Sequence, residues 1–128
     1  MMISYGEYES MIVERLKLPG YEVMRLPLGH FLNQAQVFNI SRVYVMYSWS
    51  DFKECKELIG FQIFIEALRR DGDNGVFVAI LNIVEKIFNW RPTEEIEGVS
   101  IVRIRYDDGV QNGWRYYVDV EFTRMILV

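Results

Sequence analysis

The chain predicts an α+β fold: an antiparallel or mixed sheet of four to five strands with two helices packed on one face. Three observations predict it. Residues 42–49 and 58–68 alternate side chains with the period of two that a strand requires. Residues 76–90 repeat apolar side chains at spacings of three and four, the period of a helix. Residues 99–106 and 114–125 alternate again on either side of turn-forming Asp, Asn and Gly, as a hairpin does. With 128 residues, 51% of them hydrophobic and 25% charged, the chain suffices for one domain, 1–128, around one core.

The elements follow in order. Over residues 4–17, Tyr5, Tyr8, Ile12 and Leu16 fall near one helical face and Glu7, Glu9, Glu14 and Arg15 mostly elsewhere, so a short amphipathic helix is expected, ended by Pro19-Gly20. A brief extended segment spans residues 21–26, and a polar stretch interrupted by Asn33, Gln34 and Gln36 reads as a loop. In residues 42–49, Val43, Val45, Tyr47 and Trp49 oppose Tyr44, Met46 and Ser48; apolar groups on both faces suit a central strand. Residues 58–68 put Ile59, Phe61, Ile63, Ile65 and Ala67 on one side and Gln62 and Glu66 on the other.

The Arg69–Gly75 cluster is a turn in which Asp73 or Asn74 is expected to cap the next helix. That helix, residues 76–90, carries the stripe Val76, Ile80, Ile83, Val84 and Ile87, widened by Phe77, Leu81 and Phe88, so it is expected to be well buried and to end before Arg91-Pro92. In the closing hairpin Val102, Ile104 and Tyr106 oppose Arg103 and Arg105, while Trp114, Tyr116, Val118, Val120 and Phe122 oppose Arg115, Asp119 and Glu121. Arginines and acids are expected to pair across its charged face, each exposed pair contributing a few tenths of a kcal/mol.

Composition narrows the function classes. A net charge of −4 is the wrong sign for a chain whose main partner is a phosphate backbone, and acids interleave the arginines that come nearest to a basic patch, so no sequence-specific nucleic-acid binding is expected. Cys55 is the single cysteine, which excludes an intramolecular disulfide and any metal site built on several thiolates. No apolar run reaches the ~18 residues of a membrane span, and the acidic N-terminal stretch does not read as a signal peptide. No catalytic, cofactor or metal site is recognised. Glu94-Glu95 and Asp107-Asp108 lack the ligand series of a calcium loop, and the GDNG turn lacks a phosphate-loop pattern.

The lone His30 and Cys55 make a nucleophile–base pair conceivable without any local signature for it. Aromatics reach 15% of the chain, more than a minimal core needs, and amphipathic Tyr and Trp suit protein interfaces. The run Trp49-Ser50-Asp51-Phe52-Lys53 displays two large rings where a strand leaves the core. It suits a contact loop, and equally a hydrophobic plug at the end of the sheet.

The layout as a whole resembles the tail terminator family of Mu-like contractile-tailed phages and related phage-tail-like injection particles. The resemblance runs from MIVERLK through RVYVMYSWSDF, ELIGFQIFIEALRRD and GVFVAILNIVEKIFNW followed by RP, to SIVRIRYDDG and WRYYVDVEFTRMIL, leaving residues 29–40 unaligned. It implies a structural subunit, not an enzyme. Such a subunit assembles as a closed ring, a homo-oligomer of six copies, that caps the tail tube and stops its growth.

Its implied partners are tail tube subunits and a sheath or head-tail connector subunit, without membrane or cofactor. Its implied place is the bacterial cytoplasm during assembly and then the particle. On this reading the contact residues are Trp49, Asp51, Phe52 and Lys53 at the strand exit, with Arg69, Arg70, Asp71 and Asp73 in the turn. A head-tail joining or other tail completion protein is the neighbouring alternative. A small ligand-binding domain or enzyme centred on His30 and Cys55 is the alternative of another class.

Overall fold

The computed structural model describes residues 2–26, 40–108 and 112–126. Helix α1 (Tyr5–Arg15) is followed by strands β1 (Glu22–Arg25), β2 (Arg42–Lys53) and β3 (Lys56–Ala67), helix α2 (Val76–Ile87), and strands β4 (Ile96–Asp107) and β5 (Trp114–Met125). The strands form one five-stranded mixed sheet in the order β1-β2-β3-β5-β4, with β1 parallel to β2 and every other pair antiparallel. The α+β expectation holds, with both helices on one face of the sheet.

Side-chain period explains which face they cover. Ile59, Phe61, Ile63, Ile65 and Ala67 of β3 and Val118, Val120 and Phe122 of β5 are buried toward the helices, where they meet Tyr8, Ile12 and Leu16 of α1 and Ile80, Ile83 and Ile87 of α2. Each such side chain contributes about 1.5–3 kcal/mol when removed from water. Ser4 caps α1, its hydroxyl accepting from the Glu7 amide at 3.1 Å.

Three local expectations are corrected. First, β2 does not leave the sheet at Trp49: it continues through Ser50, Asp51 and Phe52 to Lys53 and turns at Glu54-Cys55, with Glu54 at φ +55°. A register shift between Tyr47 and Trp49 lets the ladder continue. Second, neither Asp73 nor Asn74 caps α2. Gly75 occupies the cap, where a Cβ would sit 2.5 Å from the carbonyl oxygens of Arg70 and Asp71. The first amides of the helix, Val76 and Phe77, instead donate to the carbonyls of Arg69 and Arg70 at 2.9 and 3.2 Å. Third, α2 stops at Ile87 rather than Trp90, because Phe88 turns extended at φ −58° and ψ 126° and Asn89 follows in the left-handed conformation at φ +59°, closing a turn in which the Trp90 amide donates to the Ile87 carbonyl at 3.0 Å.

The arginine–acid pairs expected to be exposed include a buried one, and its main link runs from β5 to β3 rather than across the hairpin. Arg115 is fully buried, and its Nε and Nη2 donate to Glu66 Oε2 at 3.0 and 2.5 Å while Nη1 reaches Asp107 at 3.2 Å. At the other end of the same strand, on the helix-covered face, Arg124 Nε and Nη2 donate to Glu57 Oε1 at 3.0 and 2.6 Å and Nη1 lies 3.3 Å from Glu95. Arg124 also donates to the Ile3 carbonyl at 2.5 Å and sits over the rings of Tyr5 and Tyr8.

Burial works against the charged form of both glutamates but is outweighed. Hydrogen bonds from Tyr5, Ser50 and Arg124, with the guanidinium charge, hold Glu57 below the ordinary 4.5. Bonds from Tyr8, the Ile3 amide and Arg124 do the same for Glu95. Burial and the bond to Glu95 raise Tyr8 to about 12, so its hydroxyl remains a donor.

A carboxylate whose folded value is depressed contributes stability that is complete above its unfolded value and lost as pH falls through the folded one. Stability is therefore expected to decline below the ordinary 4.5, and Glu95→Gln to flatten that decline. Urea midpoints of both proteins between neutral and strongly acid pH test this; parallel profiles would disprove it.

Candidate interaction surface

The two groups of residues that the sequence singles out lie at opposite ends of β3, a strand of 12 residues and so about 40 Å long. The structure does not bring them together.

At the hairpin end, Trp49 pairs with Gly60 across β2 and β3. The indole lies directly over that glycine: a Cβ on Gly60 would fall 2.0 Å from Trp49 Nε1. Trp49 is thus neither a free contact loop nor a plug, but a ring laid on the sheet face away from the helices and 40% exposed. Phe52, 60% exposed, projects near the tip with exposed Asp51 and Lys53. Gly60→Ala is expected to lift the indole off the sheet at a cost of about 1–3 kcal/mol. A red shift in tryptophan emission that is missing in the Trp49→Phe background would report it; an unchanged spectrum and midpoint would refute it.

At the other end the turn is exposed and held by local bonds. Arg70 Nε donates to Asp71 at 3.0 Å, and its guanidinium lies 5.9 Å from the centre of the Phe77 ring and 5.3 Å from that of Trp114. Arg69, Asp71 and Asp73 line an open hollow of about 590 Å³ with Ser41 and Leu68. Arg70 is therefore the one member of this group built into a larger surface, an aromatic cluster. Phe77 packs 6.1 Å from Tyr116, and Tyr106 lies 5.2 Å from Tyr116 and 6.0 Å from Trp114, measured between ring centres.

That cluster leads onto a surface that runs against expectation. Phe77, Leu81 and Phe88, expected in the core, are 41%, 62% and 68% exposed. Val102, Ile104 and Tyr106, the apolar side of the alternation over residues 99–106, are also exposed. The reason is position. β4 is the sheet edge, and α2 spreads over β3, β5 and β4 with its Ile80, Ile83 and Ile87 line inward.

The α2 flank carrying Ala79, Asn82 and Lys86 faces the α1 side, where Lys86 Nζ donates to the Lys17 carbonyl at 3.2 Å and Ala79 and Asn82 line a hollow with Leu18 and Tyr21. The flank carrying Phe77 and Leu81 therefore faces β4, as the Phe77–Tyr116–Tyr106 chain of rings also requires. One signal in the sequence pointed here. Residues 76–81, VFVAIL, are apolar all round, whereas a helix lying on one sheet needs an apolar stripe on one side.

On the face away from the helices, Asp119 holds Arg103 at 3.1 Å and Arg105 at 3.6 Å, and Arg105 lies over Tyr117. Arg103 and Arg105 are thus drawn onto an acid of their own sheet. Cys55 is exposed in the β2–β3 turn, and His30 lies outside the described residues. Among the described residues no group of three or more His, Cys, Asp or Glu side chains is placed to hold a metal ion. Among them, too, no helix is long and apolar enough to cross a membrane.

No protein-family model matches this chain, and no curated protein does.

Proposed function

We propose that this chain is a structural assembly subunit which, as its resemblance to tail terminators implies, closes a ring on the end of the tail tube of a phage or phage-tail-like particle and stops tube growth. The single observation that carries the assembly reading is the exposed apolar surface of α2 and β4 beside a sheet edge that no other described strand pairs with. A monomer rarely displays a contiguous apolar patch of this kind unless something covers it. The order of elements supports the tail reading, and the two outlying clusters suit a subunit with one neighbour at each end. Trp49, Asp51, Phe52 and Lys53 would face one partner, and Arg69, Arg70, Asp71 and Asp73 another.

In this function the protein turns over no substrate and needs no cofactor. It acts in the bacterial cytoplasm during assembly and then as part of the particle, contacting tube subunits and a sheath or connector subunit. Ring closure needs a head-to-tail contact whose rotation closes on itself and so saturates growth.

The test is the mass of the purified protein by light scattering, alone and with tube subunits from the same genome, together with tube lengths by electron microscopy. Six-copy rings on tube ends and shortened tubes are expected. A protein that leaves tube length unchanged and never sediments with tubes would overturn the tail reading.

A further inference from the structure

Two unsatisfied features lie side by side on this molecule. Among the described residues, strand β4 pairs with β5 alone, leaving outward amides and carbonyls along 12 residues. Above it stands the α2 flank with exposed Phe77 and Leu81, and Phe88 just past the end of the helix, next to exposed Ile104 and Tyr106. Proline and lysine, which commonly blunt such edges, do not occur in β4, and Arg103 and Arg105 are held over their own sheet by Asp119.

We infer that two copies of this chain join edge to edge through β4, antiparallel, about a two-fold axis perpendicular to the sheet. Length selects the occupant. A segment that satisfies β4 must itself be an unpaired strand of similar length, and the other sheet edge, β1, has 4 residues. The matching edge on a second copy is another β4.

The same rotation keeps both helix layers on one side, so the two α2 flanks meet above the new strand pair and cover each other's apolar side chains. Charge along the edge is mixed, since β4 carries Glu97 and Asp107 together with Arg103 and Arg105, and the register decides which of them meet. Although each chain carries −4, the flank that meets its copy exposes Phe77, Leu81 and Phe88, with Glu85 as the nearby acid on α2. An edge about 40 Å long and roughly 10 Å deep, with α2 adding about 18 Å of flank above it, presents on the order of 600 Å² per copy, at the lower bound of specific stable interfaces. The register shift between Ile101 and Arg103 leaves Val102 as a bulge near the middle of the edge, so the new ladder runs on either side of it.

This contact is that of the free chain: a six-copy head-to-tail ring that also kept it would hold twelve copies, so ring closure on a tube end uses a second surface and replaces it. The experiment uses the full chain with Cys55→Ser, adding single cysteines at Ser100, Val102 and Ile104 in turn. Across a two-fold axis a residue near the axis faces itself, with Cα atoms about 4.5–5.5 Å apart and within disulfide reach. A head-to-tail contact cannot place a residue opposite itself.

Light scattering is expected to give twice the 15.2 kDa of one chain, and at least one of the three variants to cross-link to itself under mild oxidation. Ile104→Lys and Leu81→Glu are expected to return the mass to that of one chain. Both sites are exposed, so circular dichroism and the unfolding midpoint should stay native, and two variants guard against one misfolding.

A wild-type mass of one chain at every concentration up to about 100 µM would overturn the inference. So would association that survives both variants, or that yields no self-cross-link. Loss of tube capping with the dimer intact would sink the ring reading and leave this one standing.

Discussion

Arg124→Met is expected to remove about 3–5 kcal/mol of folding stability, the cost of breaking a buried ion pair by deleting one partner. Arg124 and Glu57 are 3% and 0% exposed at their side chains, and the guanidinium spans Glu57, Glu95 and the Ile3 carbonyl. Methionine keeps most of the packing over Tyr5 and Tyr8 but leaves the Glu57 carboxylate without its cation, with only the hydroxyls of Tyr5 and Ser50 as donors among the described residues. The Arg124→Met/Glu57→Gln pair is expected to regain part of the loss, since a neutral amide is less costly to bury than an unpaired carboxylate. Urea midpoints of the four proteins form a double-mutant cycle. A single-variant loss below about 1 kcal/mol, or strict additivity, would show that the pair is not coupled as the geometry requires.

Phe122→Ala should cost a similar amount, about 3–5 kcal/mol. The ring is fully buried and touches every layer: Tyr8 of α1 at 6.1 Å, Phe61 of β3 at 5.4 Å and Trp90 beyond α2 at 6.1 Å, between centres. No single neighbour can fill the space, because Tyr8 is tied through its hydroxyl to Thr93 and Glu95. Phe122→Leu, which retains most of the volume, is expected to lose less than half as much. Equal losses for the two variants would mean that the site collapses around the missing ring, contrary to the hydroxyl tether.

Legibility followed the range of the interaction. Strand β3 and the inward line of α2 were readable because alternation and the spacing of three and four are imposed by backbone geometry on neighbouring residues. The Gly75 cap was not readable, since it depends on how closely the turn carbonyls of Arg70 and Asp71 approach. Trp49 was recognisable as a conspicuous ring, but its seat on Gly60 depends on the register of β2 against β3 after the irregularity beyond Tyr47. Of the candidate contact residues, the sequence marked Arg70 and missed its partners Phe77 and Trp114, which come from two separate elements.

By itself, then, the sequence determined the class of fold, the order of its elements and the inward-facing side chains of β3 and β5, because local periodicity and turn chemistry act over a few residues. Only the tertiary structure decided which apolar faces find cover. Helix α2 has one inward direction, and the sheet beneath it ends at β4. Side chains identical in hydrophobicity therefore divide between the core, as with Ile83, and a bare flank, as with Leu81. It also decided that Arg124 meets Glu57 across 67 positions of sequence, a contact that exists only once β5 has been laid beside β3.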